Sequence, residues 1–223
     1  MDRKTLARYI DHTALKPDVT AAGIRELCQE ADRYAFKNVC VNPCYISLAK
    51  RSLQELGGKG KVGICTVLGF PLGAITWEMK GFEAEVAVEQ GADEIDIVMN
   101  IGAFKSHDYD AVRDDIAEVV NASSGKTVKV IIEAGLLTDE EKVNAAQLVI
   151  EGGARFVKTS TGFGYGGATV EDVRLLKNVV GDQIGLKASG GINTAQQAMA
   201  LIEAGATRIG SSSSVAIIES LKA

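Results

Sequence analysis

Lys158 and Lys187 each stand where a short apolar run opens into a small, glycine-rich segment: Arg155-Phe-Val-Lys-Thr-Ser-Thr-Gly-Phe-Gly164 and Ile184-Gly-Leu-Lys-Ala-Ser-Gly-Gly191. A lysine placed where a buried strand ends and a loop begins packs its stem while its amine faces a pocket, and that setting shifts an amine's pKa. The chemistry on offer is covalent, because an uncharged amine adds to a carbonyl. An ordinary lysine, near pKa ~10.4, presents only about one free amine in a few thousand at neutral pH. A second ammonium close by disfavours protonation and releases the nucleophile. Lysines also end strands for a simpler reason, since the stem covers apolar surface while the head reaches water. What argues for chemistry is the pair, each member followed by glycine and by Ser or Thr.

Asp96 lies in Glu94-Ile-Asp-Ile-Val98, between two isoleucines. A carboxylate there must be paired or point into a pocket, since unpaired burial costs several kcal/mol. It reads either as a structural ion pair to Lys158 or Lys187 or as a proton-shuttling carboxylate between them, and the two readings share one geometry. Asp11, in Tyr9-Ile-Asp-His-Thr-Ala14, is expected to end the first strand and either bind a substrate hydroxyl or hold Lys187; Glu133 has the same standing. Cys40, in Val39-Cys-Val-Asn-Pro43, is either a small apolar strand residue or part of a pocket wall. Ser189-Gly-Gly-Ile-Asn193 and Gly210-Ser-Ser-Ser-Ser214 offer bare amides and hydroxyls, which together cradle an oxyanion such as phosphate.

The elements that must carry these residues alternate. Helical stretches end in Gly-Ala and a β-rich run follows, at Glu89-Gln-Gly-Ala-Asp-Glu-Ile, Glu151-Gly-Gly-Ala-Arg-Phe-Val and Glu203-Ala-Gly-Ala-Thr-Arg-Ile. Strand-length apolar runs fall near Tyr9–His12, Asn38–Val41, Val62–Leu68, Glu94–Met99, Val128–Glu133, Arg155–Thr159, Gly185–Ala188 and Arg208–Ser211. Helix starts are marked by Thr138-Asp-Glu-Glu141, Thr169 and Thr194-Ala-Gln-Gln197. Eight βα repeats predict a closed (β/α)8 TIM barrel; the alternative open sheet for dinucleotides requires a G-x-G-x-x-G turn after the first strand, which is absent. In such a barrel the chemistry sits at the C-terminal strand ends. No linker breaks the pattern, so residues 1–223 are expected to form one catalytic domain.

Composition narrows the partners. The chain has 223 residues, 46% hydrophobic, with 24 Lys+Arg against 29 Asp+Glu and a net charge of −5. No basic cluster interleaved with aromatics favours nucleic acid or an anionic membrane surface, and a small soluble molecule is the expected partner. The N-terminus lacks a signal-like apolar stretch and no run reaches membrane-spanning length, so a cytoplasmic location is expected. Cys28, Cys40, Cys44 and Cys65 form no CxxC pair and only His12 and His107 are present, so neither a metal centre nor a disulfide framework is expected.

Asp11-His-Thr, Cys40-Val-Asn-Pro, Gly91-Ala-Asp-Glu-Ile-Asp-Ile-Val98, Val130-Ile-Ile-Glu133, Val157-Lys-Thr-Ser-Thr-Gly162 and Lys187-Ala-Ser-Gly-Gly191, in this order, resemble the deoxyribose-phosphate aldolase family over nearly the whole chain. The resemblance implies reversible cleavage of 2-deoxy-D-ribose 5-phosphate to glyceraldehyde 3-phosphate and acetaldehyde, with no cofactor. It also implies a Schiff base on Lys158, with Lys187 lowering that amine's pKa and Asp96 joining Lys187 in moving protons. Asp11, Cys40 and Thr159 would contact substrate, while Gly190, Gly191, Gly210, Ser212 and Ser213 would serve the phosphate end. Phe163 and Asn193 stand where some members carry a lysine and an arginine, which shifts phosphate binding onto backbone and hydroxyls. Some members also end in a tyrosine that reaches the site; here the sequence ends Leu221-Lys-Ala223, leaving proton transfer to Asp96, Lys187 and water. The competing reading is a phosphate-binding barrel isomerase or epimerase with Asp96 as base and no covalent amine. Homo-oligomer formation is left open.

Overall fold

The computed structural model describes residues 1–57 and 62–221. Lys222 and Ala223, at the end of the chain, lie outside the described residues. Among the described residues eight parallel strands pair in chain order and close into a barrel. They are β1 (Ile10–Ala14), β2 (Asn38–Val41), β3 (Gly63–Leu68), β4 (Glu94–Val98), β5 (Thr127–Ile131), β6 (Phe156–Lys158), β7 (Gly185–Ser189) and β8 (Arg208–Ser211). The helices are α1 (Arg3–Ala7), α2 (Ala21–Tyr34), α3 (Ile46–Glu55), α4 (Trp77–Gln90), α5 (Ile101–Lys105), α6 (Tyr109–Ala122), α7 (Asp139–Glu151), α8 (Val170–Val180), α9 (Ala195–Glu203) and α10 (Ser214–Ser220). The architecture is a single (β/α)8 TIM barrel.

Local chemistry sets the alternation. Thr138 and Thr194 each accept from the N3 amide while Glu141 and Gln197 reach back to the cap, giving two capping boxes. At the other end, Gly91, Gly153 and Gly205 adopt φ of 110°, 80° and 120°, which only glycine takes without strain. The alanine after each donates back into the helix, to Ala87, Val149 and Leu201 carbonyls, and is buried. The repeated Gly-Ala is therefore the device that turns each helix back into the next strand.

Along the strands, side chains alternate between two environments. Val39, Val41, Ile64, Ile95, Ile97, Val128, Val130, Val157, Leu186 and Ala188 point outward into the core shared with the helices. The residues between them, among them Asp96, Lys129, Lys158 and Lys187, turn into the barrel, where all four are buried. Cys40 and Cys65 also face inward and form a small separate apolar cluster with Leu15 and Val67, against which Phe70 packs.

Three expectations about strand ends are corrected. Asp11 is the second residue of β1 rather than its last, and Lys187 is the third of five in β7. β5 ends at Ile131, leaving Glu133 in the loop beyond it with φ 50°. Strands in a closed barrel are tilted and staggered, so depth along the axis follows register rather than position in a strand. Lys158 does close β6 as expected, and its register partner across the ladder is Lys187.

Candidate active site

Asp96 is the hub. Lys158 Nζ lies 2.9 Å and Lys187 Nζ 2.7 Å from the same oxygen, Asp96 Oδ2. Lys129, on β5 directly opposite Asp96, donates to the other oxygen, Oδ1, at 2.7 Å, and the Cys65 thiol donates to it at 3.2 Å. Lys187 also donates to Asp11 Oδ2 at 2.5 Å. Below lies a second tier: Arg208 reaches Asp11 Oδ1 at 2.9 Å and Glu94 Oε2 at 2.7 Å, and Asn38 Nδ2 donates to the same two oxygens at 2.8 and 2.9 Å. Gly210 is glycine because a Cβ there would meet Lys187 Cε at 3.1 Å and Ser189 Cβ at 3.0 Å.

The field of this network decides protonation. Burial alone would raise the Asp96 carboxyl, but Lys129, Lys158 and Lys187 outweigh it and hold Asp96 well below the usual carboxylate range. Burial would likewise neutralise Lys187, yet Asp11 and Asp96 keep its ammonium well above the ordinary lysine value. Asp11 is driven the same way as Asp96: burial opposes, Lys187 and Arg208 prevail, and its pKa falls from 3.8 to about 2. A carboxylate with a depressed folded-state pKa stabilises the fold above its unfolded value and loses that contribution as pH falls through the folded value. Thermal midpoints are therefore expected to stay level from pH 7 to about 5 and to drop between about pH 4 and 2. A midpoint that rises on acidification through that window would contradict the ion network.

Above the network opens a cavity of about 670 Å³ at the C-terminal ends of the strands. Its floor carries Lys158 and Lys187; one wall is made by Gly190, Gly191, Gly210 and Ser212. Asp11, Cys40, Asp96, Thr159 and Ser213 do not line it. Asp11 is fully buried outside the cavity lining and accepts from Lys187, Arg208 and Asn38, so it holds Lys187 rather than reaching a substrate hydroxyl. Thr159 is turned away and bonds Ser189 O at 3.2 Å, tying β6 to β7. Ser213 donates to Asn193 Oδ1 at 3.0 Å, so these two brace the phosphate-side loops against each other. Glu133 accepts from Thr161 N and Oγ1, clamping the loop after β6, and pairs with none of the buried cations. Phe163 projects into the cavity mouth and meets the Phe70 ring edge-on at 5.0 Å.

Lys129, Glu94, Arg208, Asn38 and Cys65 were not anticipated as site residues, nor was Lys16, an exposed cation lining the cavity beside the β8 loop. Cys40, Cys65 and Asp96 bring three donor atoms within 4.8 Å of one another. That trio does not suit a metal ion, because the carboxylate is already held by three ammonium groups.

A parallel barrel that presents buried lysines to a cavity at its strand ends is the layout of a barrel enzyme with amine chemistry. The profile of the DeoC/LacD family aldolases matches residues 5–219, and the chain belongs to that family. Similar proteins include the deoxyribose-phosphate aldolase of Thermococcus gammatolerans, 58% identical over 96% of this chain and 95% of that one. The deoxyribose-phosphate aldolase of Finegoldia magna is 55% identical over 96% and 99%. Among solved structures, a tetrameric deoxyribose phosphate aldolase from Aeropyrum pernix superposes with a TM-score of 0.90 at 36% identity, covering 98% of this chain and 92% of that one.

Proposed function

We propose that this chain is a Schiff-base aldolase that reversibly cleaves 2-deoxy-D-ribose 5-phosphate to D-glyceraldehyde 3-phosphate and acetaldehyde, with Lys158 as nucleophile and Lys187 and Asp96 as its proton-handling partners. The observation that carries the reading is the placement of Lys158: it ends β6, opens onto the cavity, and shares Asp96 Oδ2 with a second lysine. The names of its relatives support the substrate.

Neutral Lys158 adds to the C1 aldehyde, and loss of water gives a protonated imine. Transfer of the C3 hydroxyl proton to a water in the cavity then breaks the C2–C3 bond, the electron pair flowing into the imine to leave an enamine. Only that bond leaves C1 and C2 as acetaldehyde and C3 to C5, with the phosphate, as glyceraldehyde 3-phosphate; a break between C3 and C4 would leave only two carbons on the phosphate fragment. Protonation of the enamine and hydrolysis release acetaldehyde. Lys187 is held charged between Asp11 and Asp96, and Asp96 Oδ2, which accepts from both Lys187 and Lys158, links the two amines. The 5-phosphate would rest on Gly190, Gly191, Gly210, Ser212 and the neighbouring Ser213, with Lys16 supplying the charge that Phe163 and Asn193 do not. The epimerase alternative needs Asp96 to take a proton directly from substrate, whereas Asp96 is fully buried outside the cavity lining and connects to the cavity through Lys158 and Lys187.

Borohydride with acetaldehyde, in the presence of a chelator, should add one ethyl group to Lys158. Peptide mapping that finds the adduct on Lys187 would exchange the two roles, and no adduct would remove the covalent mechanism.

The same reading makes a small phosphosugar the partner and the cytoplasm the setting, where free Cys40 and Cys65 stay reduced; among the described residues no helix is long and apolar enough to cross a membrane. We further infer self-association through Leu72, Ile75, Trp77, Met79 and Phe82, exposed large apolar side chains in the β3–α4 loop and the first turns of α4, with Trp77 53% and Phe82 58% exposed. Sedimentation should find a dimer or tetramer that Trp77→Glu with Phe82→Glu dissociates; a monomeric parent would refute it.

A further inference from the structure

Lys129 is a fully buried lysine inside the barrel, in contact with Asp96, to which the aldol cycle gives no part. Its Nζ lies 2.7 Å from Asp96 Oδ1, 2.7 Å from Glu94 Oε2, 3.3 Å from Cys65 Sγ and 4.0 Å from Asp11 Oδ2. The other charged groups of the interior come from the remaining strands: Lys158 on β6, Lys187 on β7 and Arg208 on β8, with the Cys40 thiol beside Cys65 on β2. Among the described residues this barrel network thus joins four cationic side chains, Lys129, Lys158, Lys187 and Arg208, to three carboxylates, Asp11, Glu94 and Asp96.

An uncompensated charge buried in a barrel is costly, so a network of this composition is driven to release one proton. Geometry selects which amine releases it. Arg208 does not deprotonate and reaches two carboxylates. Lys129 and Lys187 each have two carboxylates within 2.7 Å. Lys158 touches one, Asp96, and opens onto the cavity.

We propose that Lys129 is a positioning residue that sets the proton count of the barrel interior: it is the surplus cation that makes Lys158 give up its proton. Its grip on Asp96 Oδ1 leaves only Oδ2 for Lys158 and Lys187 to share, which prevents Lys158 from being clamped by the whole carboxylate. Burial would deprotonate Lys129 itself, but Asp96 and the groups around it outweigh burial and hold its ammonium far above the ordinary lysine value. The proposal rests on the Schiff-base reading and gives that reading its source of free amine.

The test is a set of pH–rate profiles. Lys129→Met should lose roughly 10- to 100-fold at pH 7, with the acid limb displaced upward by about one to two pH units and much of the rate regained at alkaline pH. Lys129→Arg should retain the parental limb. Glu94→Gln, which removes a carboxylate instead of a cation, should move the limb the opposite way, and Lys129→Met with Glu94→Gln should return it towards the parent. A Lys129→Met variant that loses the same factor at every pH would mark a structural role and overturn the proposal. If Lys129→Met does not fold, as a melting curve would reveal, the Glu94→Gln profile decides, and an unmoved limb there is fatal. Borohydride trapping separates the two layers of inference. An adduct on Lys158 in the parent, together with an adduct in Lys129→Met only at alkaline pH, supports both, whereas no adduct in the parent would sink the Schiff-base reading itself.

Discussion

The Lys158→Leu variant is expected to lose aldol cleavage by on the order of 10⁴-fold or more while keeping its fold. On the Schiff-base reading every step after substrate binding passes through the bond that this amine would make, so no neighbour can take over part of the work. Among the described residues Lys187 is the only other lysine on the cavity floor, and it is held as an ammonium by Asp11 and Asp96. An ammonium has no lone pair, so it cannot stand in as the nucleophile. The stability change should be small, because Lys158 makes the least carboxylate contact of the four basic side chains in the network, a single hydrogen bond to Asp96. The measurement is single-turnover cleavage together with a denaturant melt. Residual activity within about tenfold of the parent would show that the imine forms elsewhere or not at all.

How far the site was legible depended on the kind of signal each residue leaves. The barrel was legible because period-two burial and the Gly-Ala helix exits are local, and all eight apolar runs overlap the observed strands. Lys158, Lys187 and Asp96 were legible because a charge inside an apolar run demands a reason. Lys129 carries that same signature in Val128-Lys-Val130 and was overlooked because no glycine-rich loop follows it. Glu94 and Arg208 open their strands, a place where charge is ordinary, and only the closure that sets β8 beside β1 makes them interior residues. Asp11 was legible only in part: its neighbours in sequence leave a substrate hydroxyl and Lys187 equally open as partners, and its neighbours in space, Lys187, Arg208 and Asn38, decide for the second. Stagger between strands is a property of the closed sheet, and no single strand encodes it.

Lys187→Leu is expected to be nearly as damaging as loss of the nucleophile at neutral pH, by a different route. Lys187 and Lys158 share Asp96 Oδ2, so removing Lys187 hands that oxygen to Lys158 alone and at the same time removes one of the four interior cations. Both changes retain the proton on Lys158 and make its free amine scarce. Activity at pH 7 should fall by roughly 10²- to 10⁴-fold, with the acid limb of the profile displaced upward and only part of the rate regained at alkaline pH. Recovery should stop short of the parent, and short of Lys129→Met, because Lys187 sits on the cavity floor where it can pass a proton and Lys129 does not. Stability should also fall, by about 3–5 kcal/mol, since Asp11 loses its 2.5 Å partner and remains buried. A uniform loss at all pH values would refute the tuning role and leave proton relay as the main task of Lys187, and a profile identical to that of Lys129→Met would mean that charge alone, without relay, is what both lysines contribute.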